Sequence, residues 1–302
     1  MHHIALKTLR AASLGMGMLL SVSGIAADSA STAARQTQSE PGKVVQSQID
    51  KQTTDAAAEK RKKLVEDATA AIFETEKALK ALEDRKNDEA LKALAETTGE
   101  IELILARDPK LALAPFHTEV VTYDLFASLD TVKAAIKEAR KDLGDGEIQK
   151  ARPLVASLAS EIQFRTTNIP LATYPVAIKA ITPLIDAGRI DEAKAQLQAA
   201  LNTLVITTDV IPLPKLRAEN LLKEVQILAE KKGRSKDEND KLTRHLKSAR
   251  EQLQMAELLG YGKTKDYKSI YEQLDVIEKA SAGGKNGTGW FDKIKKQMSE
   301  LF

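Results

Sequence analysis

Residues 139–170 read ARKDLGDGEIQKARPLVASLASEIQFRTTNIP, and residues 181–212 read ITPLIDAGRIDEAKAQLQAALNTLVITTDVIP, one pattern written twice at an offset of 42 residues. Ala151 and Ala193 each follow a polar turn, and Pro170 and Pro212 stand nineteen residues further on. A third copy precedes them, with Ala90 at the origin and Pro109 at the same interval. Four residues after each origin come Leu94, Val155 and Leu197, and eleven after it come Ile101, Ile162 and Leu204. That spacing lays one apolar stripe along a helix.

Five residues before the origin, Gly146 and Gly188 stand where a preceding helix must stop and left-handed backbone costs glycine little. The first copy has Arg85 there, so Asn87 is expected to take its turn. Each proline is expected to end a second helix, because it lacks an N–H and clashes with the preceding turn. Helix, tight turn, helix and proline exit is the logic of a tetratricopeptide hairpin, but the spacing departs from that family's period of about 34 residues. The sequence therefore predicts an all-α fold of repeated long antiparallel hairpins, forming a bundle or a short solenoid.

One interruption breaks the helical pattern. Residues 110–130 contain Phe116-His117-Thr118-Glu119-Val120-Val121-Thr122-Tyr123, whose β-branched, partly alternating character predicts a short strand near 118–125. Its counterpart is Val205-Ile206-Thr207-Thr208, with which it is expected to pair. Beyond Pro214 a fourth hairpin is expected, from Leu216 to Glu230 and from about Leu242 to Gly260, followed by a helix from Tyr267 to Ala280.

The ends of the chain differ from its middle. Lys7 and Arg10 precede a Ser- and Gly-diluted apolar run that closes on small residues at Ala26-Ala27, so residues 1–27 read as a cleaved secretory signal and the chain is expected to be exported. Removing it leaves 43 basic against 43 acidic groups, and a formally neutral chain has no evident means of binding nucleic acid. Residues 28–58, rich in Ser, Thr, Ala and Gln, read as a flexible leader to a helical domain at 59–280. A glycine-rich linker at 281–289 then leads to an amphipathic helix at 290–302. There Trp290, Phe291, Ile294, Met298, Leu301 and Phe302 share one face, a surface suited to docking on a partner or to peripheral contact with a membrane.

No motif specifies a reaction. The chain has no cysteine, hence no thiol nucleophile and no thiolate metal site. Beyond the signal only His117 and His245 remain, without metal-ligand spacing. Gly262-Lys263-Thr264 imitates the end of a phosphate loop, but Glu257 stands where its first glycine is required. No catalytic residue, cofactor or metal is predicted, and the chain is read as a non-enzyme. The candidate binding residues are the paired polar exits, Thr166, Thr167 and Asn168 with Thr207, Thr208 and Asp209, together with Tyr174 and Arg217 nearby. The same hydroxyl and amide groups are also expected to satisfy helix-end backbone groups.

Three stretches carry a family resemblance: Thr166–Pro175 (TTNIPLATYP), Leu201–Arg217 (LNTLVITTDVIPLPKLR) and Glu251–Gly262 (EQLQMAELLGYG). They resemble the YfdX family of exported bacterial proteins over roughly residues 60–280. The resemblance implies a helical periplasmic protein associated with stress responses, with no catalytic motif to carry over. A non-catalytic binding protein, with an unidentified protein or small molecule as partner, is the expected function. The sequence leaves open an enzyme built around His117 or the threonine exits, tethering to a membrane surface through the last helix, and self-association.

Overall fold

The computed structural model describes residues 39–301; the predicted signal at 1–27, the start of the leader at 28–38 and Phe302 lie outside the described residues. Within them, helices dominate and a three-stranded sheet completes the fold. The helical hairpins of the repeat are present: α2 (Glu66–Glu83) with α3 (Asn87–Arg107), α4 (Leu129–Gly144) with α5 (Ile148–Ala156), and α6 (Tyr174–Asp186) with α7 (Ile190–Leu201). Each hairpin is followed by one strand, β1 (Leu113–Tyr123), β2 (Glu161–Pro170) and β3 (Val205–Pro212), so the repeating unit is helix–helix–strand.

This corrects the reading of the proline exits. In the first copy the interval from Ala90 is nearly all helix and Pro109 follows it, whereas Pro170 and Pro212 each end a strand. The apolar stripe did not distinguish these cases, because Ile162 is buried equally well by a strand facing the core. The β-branched runs Thr166-Thr167 and Val205-Ile206-Thr207-Thr208 decide for extended backbone, where branching at Cβ costs least. The strands are antiparallel in the order β1-β2-β3, so β1 and β3 flank β2 and do not pair with each other.

The helix turns follow the repeat closely. Gly146 and Gly188 have φ +76° and +71°, and the N–H beyond each reaches back, from Glu147 to Asp142 O at 2.8 Å and from Arg189 to Leu184 O at 2.8 Å. In the first copy Arg85 itself adopts φ 58°, with Lys86 N–H donating to Ala81 O at 2.9 Å; Asn87 only opens α3. A side chain in left-handed backbone costs roughly 1–2 kcal/mol, partly offset by the larger unfolded-state entropy of glycine. Arg85→Gly is therefore expected to raise the unfolding free energy by about 0.5–1 kcal/mol in urea titrations; a loss of stability would mean that the arginine side chain supports the turn.

A further correction concerns the leader. Residues 40–62 form a helix, α1 (Glu40–Lys62), opened by Ser39, whose hydroxyl accepts from Gly42 N–H at 3.2 Å. Its Val45, Ile49 and Ala57 are buried. They join a core formed with α8 (Leu213–Glu230), α9 (Lys236–Leu258) and α10 (Thr264–Ser281), where Leu221, Val225, Leu253, Ile270 and Leu274 are sequestered. A second core lies among α2, α3, α6 and α7, around Ala90, Leu94, Ile101, Ile178 and Leu197. The middle strand serves both, with Ile162 and Phe164 in the first core and Ile169 in the second.

The expected linker is a tethered loop. Buried Arg234, just ahead of α9, donates from Nη1 to Leu228 O (3.0 Å) and Ala229 O (3.1 Å), from Nη2 to Ser281 O (3.3 Å) and Lys285 O (2.6 Å), and from Nε to Asn239 Oδ1 (2.9 Å). One guanidinium thus satisfies carbonyls at the C-termini of both α8 and α10, where the helix dipoles also favour a cation. At Gly287 a Cβ would stand 2.4 Å from the Trp290 ring, so only glycine fits there. The last helix, α11 (Asp292–Glu300), then folds back with Phe291, Ile294, Met298 and Leu301 buried in the first core and Trp290 partly buried against it. Those residues are occupied within the chain, which removes the apolar face on which membrane tethering depended. Among the described residues no helix is long and apolar enough to cross a membrane.

Candidate functional site

Strand geometry separates the predicted ledge into two sets. Successive side chains in a strand point to opposite faces of the sheet, so Thr166 and Thr167 cannot act together, nor can Thr207 and Thr208. On the inner face Thr118, Thr166 and Thr207 stand abreast across the three strands, with Thr118 Oγ1 and Thr166 Oγ1 3.0 Å apart. Asn168, buried beside them, donates through Nδ2 to Thr166 O (2.8 Å), Val205 O (3.0 Å) and Thr207 Oγ1 (3.2 Å). Asp209 forms an ion pair with Lys60 at the end of α1. These groups satisfy the sheet and its neighbours; they do not cap helices. Thr167 lies on the outer face opposite His117 and Ile206, and Thr208 lies there opposite Arg165.

Tyr174 belongs elsewhere. It is fully buried in the second core, its hydroxyl donating to Thr75 Oγ1 at 3.1 Å, and burial pushes its pKa up to about 12. It is a core residue, and it lies in the helical core rather than on the ledge.

Arg217 leads to a different site. Pro212 ends β3 and Leu213 opens α8 at once, its N–H donating to Ser160 O at 3.0 Å. Four residues on, and hence on the same helical face, Arg217 is 4% exposed. Its Nη2 donates to Asp124 Oδ2 at 2.6 Å, and its guanidinium carbon lies 5.7 Å from the centre of the Phe126 ring. Its Nε is buried without a hydrogen-bond partner, and so is the hydroxyl of Ser160, 1% exposed, whose backbone N–H donates to Tyr261 Oη at 3.0 Å.

Arg217 and Ser160 both line a cleft of about 390 Å³, closed by the connection from β1 to α4, by the first turn of α1 and by Gln252 and Met255 of α9. Ser39 and Ser128, the N-caps of α1 and α4, lie on its wall, so two helix N-termini reach it. Lys133 adds a cation, with Asp130 and Glu251 as the acidic members. A buried donor left unpaired costs about 1–3 kcal/mol, so two in one cleft of ligand size favour a molecule that supplies acceptors. Asp124, Phe126 and Ser160 were not legible as site residues; the pattern Asp124-Leu125-Phe126 just past the predicted strand was the available signal.

Neither histidine joins the cleft. His117 is exposed on the outer face of β1, whereas His245 is buried in α9, its Nδ1 unpartnered and its pKa lowered by burial. Among the described residues no cluster of three or more His, Asp or Glu side chains is arranged to hold a metal ion.

Comparison with known proteins bears on residues 71–210, which match the family model described as "YfdX protein". A solved structure, that of Salmonella Typhi YfdX, is similar at 13% sequence identity and a TM-score of 0.34, with 50% of this chain and 93% of that chain covered. No curated protein matches the chain. The matched residues span most of the three helix–helix–strand units.

Proposed function

We propose that the chain is an exported, periplasmic binding protein of the envelope stress response whose Arg217 cleft takes a small carboxylate-bearing molecule without turning it over. The observation that carries this reading is the pair of buried, unpartnered polar groups, Arg217 Nε and Ser160 Oγ, in one cleft. A carboxylate accepts hydrogen bonds from both and suits the positive ends of α1 and α4. Phe126 and Met255 offer an apolar body something to pack on. Export is supported by the signal-like residues 1–27, and a stress role only by the family resemblance. The absence of turnover is supported by the lining residues, in which the Ser160 hydroxyl has no base to activate it. His117 and Thr207 lie on opposite faces of the sheet, so the geometry offers no site uniting them.

Calorimetric titration of the full chain with benzoate and benzamide tests the reading. Benzoate is expected to bind at least tenfold more tightly than its amide, and Arg217→Met, which keeps most of the side chain's length, is expected to abolish the difference. Equal heats for the two ligands, or an undiminished preference in a folded Arg217→Met protein, would overturn it.

A further inference from the structure

The Arg217 cleft does not end at α4. It shares Leu129 and Lys133 with a groove of about 580 Å³ between α4 and α9, and that groove shares Ile136 and Leu258 with a void of about 360 Å³ that reaches α5. The three form one passage. Leu129 and Ile136 stand seven residues apart on one face of α4, roughly 10 Å along its axis, and Met255 and Leu258 accompany them on α9.

The chemistry changes along the passage. Arg217 and Ser160, each with an unpartnered polar group, stand at one end. At the other end Val155, Leu158 and Ala159 supply the wall, and the two polar side chains there already serve each other, Tyr261 Oη donating to Glu161 Oε2 at 2.6 Å. Unmet polar demand thus lies at the Arg217 end and apolar wall at the α5 end. Between them Glu257 accepts from Tyr271 Oη at 2.8 Å, while Lys137 and Arg140 are exposed on the rim. Their aliphatic stems can cover an apolar chain while their charges stay in water.

The repeat shows that the apolar end lacks cover. Val155 is the counterpart of Leu94 and Leu197, which are 2% and 0% exposed because α2 and α3 pack against α7 and α6. Val155 is 52% exposed. The middle hairpin meets α9 instead, through α4, and α5 keeps an apolar wall on an open void. An acyl chain laid there would take both surfaces out of water.

We propose that the ligand of this site is an unesterified fatty acid, its carboxylate at Arg217 and Ser160 and its chain running between α4 and α9 toward Val155. This rests on the carboxylate reading of the Arg217 cleft and adds the chain to it. An esterified lipid lacks the charged acceptor that the anchor needs.

Calorimetric titration of the full chain with hexanoate, octanoate, decanoate and dodecanoate, each below its micelle concentration, tests the proposal. Affinity is expected to rise about two- to fourfold for each added CH₂ as the chain enters the groove. Arg217→Met is expected to weaken every member by about tenfold or more and to keep that rise. Ile136→Trp, which fills the junction of groove and void, and Val155→Asp, which puts a charge beside the end of the chain, are each expected to flatten it.

Benzoate has no chain to enter the groove, so the two readings fail separately. A protein that prefers benzoate to benzamide but binds hexanoate and dodecanoate alike overturns the fatty-acid assignment alone, whereas loss of the benzoate preference overturns both. A rise undiminished in both folded groove variants, or dodecanoate binding indifferent to Arg217→Met, would also overturn it. Should Ile136→Trp fail to fold, Val155→Asp, at an exposed position, carries the test.

Discussion

Arg234→Ala is expected to lower the unfolding free energy by about 3 kcal/mol and to release the C-terminal segment before the rest of the chain unfolds. The magnitude follows from what the guanidinium does. It is buried without a carboxylate partner and is held by carbonyl oxygens from the ends of two helices and from the loop that leads to α11. Removing it leaves several of these oxygens short of donors. Lysine would restore the charge but cannot reach three separate groups with a planar fork, so Arg234→Lys should recover only a small part of the loss. Trp290 is the sole tryptophan and stands at the start of the returning helix, so its fluorescence reports the tail directly. In the variant its emission should shift at a lower denaturant concentration than the loss of helical circular dichroism. Coincident transitions with a stability change under about 1 kcal/mol would show that the tail is held by its apolar contacts alone.

Phe164→Ala is expected to cost about 3–5 kcal/mol, the range for a large aromatic side chain removed from a packed core. Phe164 is 1% exposed on the middle strand and faces the helices that cover the sheet, so no edge relaxation can fill the space it leaves. Phe164→Leu keeps the surface apolar and should cost less than half as much. Urea titration compares the two. A loss below about 1.5 kcal/mol for the alanine variant would mean that the helical core closes over the gap and that the sheet contributes little to it.

The hairpins were legible because their signals are local. Ala90, Ala151 and Ala193 are all fully buried, as the common origin of the repeat required, and the two glycine turns lie where the spacing placed them. The strands were harder to read because Ile162 fits a helical stripe as well as a strand face, and only the runs of threonine, valine and isoleucine tell the two apart. The first helix was obscured by its composition. Its buried residues are few and small except for Val45 and Ile49, although Ser39-Glu40-Pro41 already carried a helix-start signal. The ledge was found as a set of residues but not as a surface, since alternation along the strand divides Thr166 from Thr167. In the cleft, Arg217 was legible and its partners were not: Asp124 lies 93 positions earlier, and the strand order that joins them is a property of the whole sheet.

The first helix has a further bearing on how the chain becomes folded. The helix that carries Val45 and Ile49 packs chiefly on α8, and less on α9 and β1, so most of its cover is made only after residue 213. At about 5–20 residues per second, synthesis from α1 through the end of α8 takes roughly 10–40 s. During that interval the N-terminal helix is an apolar stripe that lacks most of its cover, and the three hairpins behind it can collapse locally before it docks. Contacts spanning most of the chain close last and slowly. A fragment cut to residues 71–210 would keep the sheet but leave Ile162 and Phe164 bare on its inner face, and insolubility is the expected fate of that fragment.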